Sequence, residues 1–144
     1  MSQFTSVDAH RSMSKHYTSL LYHIVFATKY RRSIISEPIE SAVWEALQET
    51  CAERGLHVYG IGGHENHVHV LVGIPPDISV ADAVRMIKSI STRKIRERIS
   101  QLANFRWQAG YSAFTFDRRA LGILQSYVKN QRKHHTEPGA KAPG

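Results

Sequence analysis

The order of strand-like and helix-like segments is the feature of this chain that most restricts its fold. Four segments rich in β-branched and aromatic residues are predicted to be strands. They are residues 20–28, 56–62, 66–73 and 111–116. Helix-like segments follow the first, third and fourth. The order β-α-β-β-α-β-α predicts an α+β, ferredoxin-like fold, in which a four-stranded antiparallel sheet carries two helices on one face. A C-terminal helix, which bears a tyrosine, is added to it.

Capping residues and apolar repeats support the three helices. The predicted caps are Ser36, Ser79 paired with Asp82 in a capping box, and Asp117. The first helix presents one apolar face, formed by Ile39, Val43, Leu47 and Cys51. The second presents Val80, Val84, Ile87, Ile95, Ile99 and Leu102. The third is predicted to extend from Asp117 to about His134.

Length and composition are those of one globular domain. The chain has 144 residues, of which 42% are hydrophobic and 22% charged, so it can bury a core without crosslinks. We expect one domain over residues 15–135, between disordered tails at residues 1–14 and 136–144. No apolar run approaches the roughly 20 residues that cross a bilayer. With no signal peptide and one cysteine, the chain is expected to be cytoplasmic, without a membrane partner.

The charge is unevenly distributed. The net charge is +7, and residues 85–133 hold 12 of the 19 Lys and Arg residues but only two of the 12 acids. Such asymmetry favours a polyanionic partner, because each cation that neutralises a phosphate releases counterions. The alternative is a well-solvated basic face.

Two histidines are candidates for a metal site. His67 and His69 are separated by one residue on a predicted strand, so both imidazoles project from one face, with Val68 and Val70 on the other. Two imidazoles on a common face form half of a metal site, although this motif alone is weak evidence. His64 and Glu65, just before them, are further polar groups or only hairpin residues.

The last helix carries a candidate nucleophile. Tyr127 and Gln131 are four positions apart and point the same way on a helix, with His134 or His135 a further turn along. Tyr127 could instead lie at the edge of the core. Metal-assisted phosphodiester transesterification would use both the tyrosine and the histidine metal site, because a tyrosine hydroxyl with a pKa of about 10 is a weak nucleophile that needs the help of a metal. The sequence has no GxxxxGK[ST] phosphate loop, so no nucleotide cofactor is expected.

At this point the chain resembles a known family. His67-Val68-His69 resembles the HUH motif, and YVKNQRKHH (residues 127–135) resembles the tyrosine helix of the IS200/IS605 transposases. The resemblance extends from YHIVFATKYRR (residues 22–32) through HVHVLVGIPP (residues 67–76) to His135. It implies a homodimer with active sites shared between subunits, acting on single-stranded DNA with hairpins.

The resemblance also implies roles for individual residues. Tyr127 would form a 5′-phosphotyrosine link, and His67, His69 and Gln131 would hold divalent Mg or Mn. Many relatives have an acidic residue where this chain has Asn66. Candidate DNA contacts, chosen by charge alone, are Lys29, Arg31, Arg32, Arg85, Lys88, Arg93, Lys94, Lys129 and Arg132.

Three other functions stay open from the sequence. A domesticated hairpin-specific nuclease or strand transferase would use the same chemistry. A non-catalytic nucleic-acid binding module would stack bases on strand aromatics such as Tyr22 and Phe26. A metal-dependent hydrolase would use activated water and would not need Tyr127.

Overall fold

The computed structural model describes residues 20–132, and within them the predicted order of elements is confirmed. The strands are β1 (Leu20–Ala27), β2 (His57–His64), β3 (His67–Ile74) and β4 (Ser112–Thr115). The helices are α1 (Glu37–Glu53), α2 (Val80–Arg98) and α3 (Leu121–Lys129). The tails predicted at residues 1–14 and 136–144 lie outside the described residues.

The sheet has the strand order β2-β3-β1-β4, and every neighbouring pair is antiparallel. This is the predicted ferredoxin-like arrangement. Opposite residues of an antiparallel pair share a face, so the register between β1 and β3 assigns both faces. Ile24 lies opposite Val70, and Val25 lies opposite His69. The first pair belongs to the core face and the second to what we call the histidine face.

The hydrophobic core lies between the core face and helices α1 and α2. Its fully buried side chains include Ile24, Val43, Leu47, Val68, Val70, Val72, Ile87 and Ile95. Both helices therefore pack on one face, as the apolar repeats predict. Because strand residues alternate, burying Val68 and Val70 against these helices directs His67 and His69 to the opposite face.

Helix α3 packs on the histidine face, against β2 and β3. Gly62 makes this close packing possible. It lies opposite His69 in the sheet, and a Cβ atom on it would overlap the carbonyl oxygen of Val128 and lie 2.8 Å from its carbonyl carbon. The backbone of α3 therefore rests directly on the backbone of β2 at this point.

Several predicted boundaries need correction. Ser36 precedes α1 but makes no side-chain capping bond, whereas Ser79 Oγ accepts from the backbone N–H of Asp82 at 3.0 Å. Helix α2 ends at Arg98, and a separate 3₁₀ turn (Ser100–Leu102) follows it. The β2–β3 hairpin turns at residues 65–66 alone, since β2 continues to His64.

The last helix begins later than predicted and is interrupted near its end. Asp117 caps a 3₁₀ turn (Arg118–Ala120) by accepting from the backbone N–H of Arg119, and α3 begins after this turn. Helix α3 ends at Lys129, Asn130 departs from helical geometry, and residues 131–132 are helical again. His134 and His135 lie outside the described residues. No helix among residues 20–132 is both long and apolar enough to cross a bilayer.

Candidate active site

A cavity of about 650 Å³ opens on the histidine face, between the sheet and α3. His67 and His69 of β3, His23 of β1 and Tyr127 of α3 line it. The two β3 histidines are buried, with 9% and 5% of their surface exposed. The elements predicted from sequence to carry the chemistry therefore meet at one place.

Asn66 fixes the orientation of His67. The amide oxygen Oδ1 of Asn66 lies 2.9 Å from His67 Nδ1, and an amide oxygen can only accept. His67 Nδ1 therefore carries the proton, and its Nε2 presents a lone pair. The Asn66 amide group is itself positioned, because its Nδ2 donates to the carbonyl oxygen of Arg31 at 3.4 Å.

Gln131 supplies a second electron-pair donor beside His67. It is fully buried, and its Nε2 donates to the carbonyl oxygen of Tyr127 at 3.2 Å. This contact turns Oε1 towards His67 Nε2, at 3.4 Å. Two lone-pair atoms at this separation suit a shared cation, since metal ligands at about 2.1 Å from an ion lie a little over 3 Å apart.

His69 has a partner on β1 that the sequence did not reveal. His23 Nε2 lies 2.8 Å from His69 Nδ1, and burial lowers the pKa of His23. Nε2 of a neutral His23 can accept a hydrogen bond from the N–H at His69 Nδ1, which leaves the lone pair of His69 on Nε2. Both β3 histidines thus have a side-chain partner on Nδ1, the arrangement that fixes the tautomer of metal-binding histidines.

The ring of Tyr127 stands edge-on to two histidines. Its centroid lies 5.6 Å from that of His69 and 6.3 Å from that of His23. Gln125, half a turn earlier, ties α3 to β2 by donating to the carbonyl oxygen of Tyr59 at 2.8 Å. Tyr127 is therefore a cavity residue rather than one at the edge of the core, and its own chain supplies the histidines beside it.

Among the described residues, no three His, Cys, Asp or Glu side chains form a metal-binding cluster. The candidate ligand set here is the imidazoles of His67 and His69 and the Gln131 amide, and water or a phosphate oxygen would fill the remaining positions of an ion. Glu65 is not among the residues that line the cavity, and its carboxylate lies 3.8 Å from the guanidinium of Arg132. His64 lines the cavity.

The structure corrects the set of candidate DNA contacts. Lys94 is buried, with Nζ 2.7 Å from Glu53 and 3.3 Å from Glu49. Arg132 binds Glu40 at 2.6 Å. Both cations bind carboxylates of helix α1, so we withdraw both as DNA contacts.

Lys88 is engaged in a similar way, since its Nζ donates to the carbonyl oxygens of Gln108 and Gly110. Arg85 pairs with Asp82 on the surface, where such a pair contributes little stability. Six candidates remain wholly or partly exposed: Lys29, Arg31, Arg32, Arg85, Arg93 and Lys129. Arg31 also lines the cavity.

Comparison with known proteins identifies the family. The model of the family "Transposase IS200 like" matches residues 16–131 of this chain. The chain belongs to the IS200-like transposase family. A transposase for insertion sequence element IS200 from Salmonella typhimurium is 31% identical over 115 residues, or 76% of this chain and 75% of that protein. The ISDra2 transposase TnpA of Deinococcus radiodurans is 25% identical over 117 residues, covering 78% and 84%.

The family assignment confirms the prediction of a DNA transposase, and two solved structures confirm the fold. One, a Deinococcus radiodurans protein assigned as a transposase, superposes with a TM-score of 0.64 at 24% identity, covering 79% of this chain and 92% of that one. The other is a REP-associated tyrosine transposase bound to a REP hairpin, with a TM-score of 0.56 at 16% identity, covering 76% and 64%.

The structure also weighs against Tyr22 and Phe26 as the base-stacking residues of a binding module. Phe26 is buried on the core face, 3% exposed, with its ring edge-on to Trp107 at 4.7 Å. Tyr22 packs against the same core. Neither ring is presented to a nucleic acid in the way that alternative requires.

Proposed function

We propose that this IS200-like transposase cuts and rejoins single-stranded DNA through a covalent 5′-phosphotyrosine link to Tyr127. His67, His69 and Gln131 would hold a divalent metal ion. One observation carries the proposal: Tyr127 lines the same cavity as the two oriented imidazoles of His67 and His69, although it is 58 residues beyond His69. A binding-only protein has no need of this convergence.

The proposed step conserves the number of phosphoester bonds. The Tyr127 oxygen attacks the scissile phosphorus and loses its proton, while the bond to the 3′ oxygen breaks and that oxygen gains a proton. A free 3′-OH results. The phosphotyrosine retains the bond energy, so attack by another strand's 3′-OH rejoins DNA without a nucleotide cofactor. Edge contacts with His23 and His69 hold the Tyr127 ring, and Arg31 places a cation at the cavity for the arriving phosphate.

The ligand set suits a divalent ion. Both Mg and Mn accept amide oxygen and water, and two imidazoles favour Mn by ligand softness. When bound, such an ion neutralises charge on the phosphoryl oxygens and orients the scissile phosphate. On the protein's side, Asn66 and His23 would keep the two β3 histidines deprotonated at Nε2 for that purpose.

The polarity of the link tests this chemistry. A single strand from the element ends, labelled at its 3′ end and incubated with Mn²⁺, is expected to leave its label on the protein in a denaturing gel. The same strand labelled at its 5′ end is expected to release a free shortened fragment that a polymerase extends. Label from the 5′ end on the protein would mean the opposite linkage and contradict the proposed step.

Hairpin DNA and a second subunit complete the proposal. The structurally similar REP-associated transposase was solved with a REP hairpin, which supports hairpin-bearing DNA as the substrate. A homodimer in which α3 is exchanged between subunits would use the same contacts that α3 makes here within one chain. We place the protein in the cytoplasm.

A domesticated strand transferase would share all of these features, and imperfect palindromes in the flanking DNA distinguish a mobile element from it.

The partners of the two histidines provide a prediction about metal affinity. Asn66→Ala and His23→Ala are each expected to weaken Mn²⁺ binding by about 10- to 100-fold, the usual cost of removing the partner of a metal-ligating histidine. Titration followed by electron paramagnetic resonance measures this without DNA. Asn66→Asp, which keeps an acceptor for His67 Nδ1, is the matched control and should bind at least as tightly as the wild type. Unchanged affinity in both alanine variants would show that neither side chain orients a ligand.

A further inference from the structure

The turn after β1 holds two consecutive residues in a strained backbone conformation. Tyr30 has φ 60° and Arg31 has φ 53°, values in the left-handed region that disfavours side chains other than glycine, asparagine and aspartate. Hydrogen bonds enforce the turn: Tyr30 N–H donates to Gln108 Oε1 at 3.0 Å, and Arg31 N–H donates to the carbonyl oxygen of Thr28 at 2.8 Å. Strain of this kind persists where the surroundings impose it, and it concentrates at ligand-binding sites.

The side chain at this strained position contributes little to the core. Tyr30 is 70% exposed, whereas a tyrosine retained for packing would be buried. Its ring is flanked by two cations, with Lys29 Nζ 5.1 Å and Arg32 Cζ 5.4 Å from the ring centroid. Packing in the core therefore does not explain a tyrosine at this strained position, and its exposed ring is accessible to an external partner.

A cavity of about 390 Å³ adjoins the ring and indicates the chemistry of that partner. Its lining includes three cations, Lys29, Arg32 and Arg106, together with the amide side chain of Asn104. None of the described residues that line it is acidic. An exposed aromatic ring among cations and amides matches a nucleotide, because the base stacks on the ring and the phosphates meet the cations.

The turn also adjoins the cavity lined by Tyr127 and the two β3 histidines, which we call the catalytic cavity. Arg31 lines that cavity, and its carbonyl oxygen accepts from Asn66 Nδ2 at 3.4 Å. Gln108 borders the same cavity, and its side-chain Oε1 accepts a hydrogen bond from the backbone N–H of Tyr30. A strand that leaves the scissile phosphate can therefore cross Arg31 and reach Tyr30 on the other side of the turn.

We propose that Tyr30 is a stacking site for an unpaired base of the bound DNA strand, with Lys29, Arg32 and Arg106 contacting the phosphates beside it. The inference rests on the proposed function, since it takes single-stranded DNA as the substrate. The strained turn presents the ring in one fixed orientation, which reduces the entropy lost when a base stacks on it.

Three variants at one position test this site. The probe is a fluorescein-labelled strand of about 20 thymidines, whose bases all offer a face for stacking, followed by fluorescence anisotropy. Tyr30→Phe keeps the ring and should bind like the wild type. Tyr30→Gly removes the ring and should raise Kd by about tenfold or more, the range measured for loss of one stacked base. Tyr30→Asn also tolerates the left-handed conformation and should behave like Tyr30→Gly.

Thermal stability separates this role from a structural one. The glycine variant should melt at or above the wild-type temperature, because glycine relieves the strain. A lower melting temperature in both the glycine and asparagine variants, with DNA binding unchanged, would show that the ring serves the fold and overturn the proposal. Equal weakening in the phenylalanine and glycine variants would also overturn it, since the ring would not be the binding group.

The covalent adduct with Tyr127 distinguishes failure of this site from failure of the proposed function. If the wild type forms the adduct and Tyr30→Gly binds DNA as well as wild type, the stacking site is wrong and the proposed function stands. If the wild type neither binds the strand nor forms an adduct, both are wrong. Weaker binding by Tyr30→Gly together with adduct formation by the wild type supports both.

Discussion

Gly62→Ala is expected to reduce formation of the DNA–protein adduct by at least about 100-fold, the cost of misplacing a reactive group by roughly 1 Å. The new methyl group would overlap the carbonyl oxygen of Val128 and lie 2.8 Å from its carbonyl carbon. Both are backbone atoms, so α3 must move away from β2 and carry Tyr127 and Gln131 with it. Overpacking of this kind costs about 1–3 kcal/mol of unfolding free energy. Denaturant titration and a denaturing gel measure the two effects.

Gly122→Ala is the matched control on the moving helix itself. A Cβ atom at Gly122 would meet nothing within 4 Å, and alanine stabilises a helix relative to glycine by about 0.5–1 kcal/mol. This variant should be as active as the wild type and slightly more stable. Wild-type adduct formation by Gly62→Ala would contradict the close contact between α3 and β2.

His67→Ala and His69→Ala are each expected to weaken Mn²⁺ binding by more than about 100-fold. This loss exceeds the usual loss of affinity when only the hydrogen-bond partner of a metal-binding histidine is removed. Adduct formation should fall in parallel at Mn²⁺ concentrations that saturate the wild type. Each variant removes one of the two imidazoles of the ligand set, which leaves one imidazole and the Gln131 amide.

His57→Ala is the control for this pair. His57 begins β2 at the opposite end of the strand from His64 and is exposed, with its ring against Tyr59. Its loss should leave both Mn²⁺ affinity and adduct formation unchanged. If His67→Ala and His69→Ala also retain wild-type Mn²⁺ affinity, the metal lies elsewhere and the proposed ligand set is wrong.

Local patterns were sufficient to predict the fold and to select the two β3 histidines. Alternation along β3 requires that burying Val68 and Val70 brings His67 and His69 to one face, so no knowledge of the partner strands is needed. The helices followed from apolar repeats because amphipathic periodicity reports which face is buried. Family resemblance then selected Tyr127, which the periodicity alone left open.

Features that depend on tertiary register could not be predicted in this way. His23 partners His69 only because β1 pairs with β3 in the register that places Val25 opposite His69, and strand register is not visible in one sequence. A histidine within the apolar segment LLYHIVFA was the available signal. Gly62 was missed for the same reason, since its importance comes from the backbone of α3 above it.

Charge counting overstated the cations available for DNA. Lys94 and Arg132 are basic in sequence but paired with Glu49, Glu53 and Glu40, which come from a distant helix. The acids that neutralise them lie outside the basic segment, so composition within residues 85–133 could not reveal the pairing. Asn66 stands where many relatives have an acidic residue, and only the three-dimensional structure shows its role as a partner of His67 Nδ1.

Covalent trapping tests the central claim most directly. The wild type, Tyr127→Phe and the control Tyr59→Phe are incubated with single-stranded DNA from the element ends that is labelled at its 3′ end, with Mn²⁺ or with a chelator, and separated on a denaturing gel. Tyr59 also lies on the histidine side of β2, with its hydroxyl 3.4 Å from Arg118. We predict a labelled protein band that requires metal, persists in Tyr59→Phe and disappears in Tyr127→Phe. Cleavage that produces no adduct and persists in Tyr127→Phe would contradict the account and indicate a nuclease that uses water.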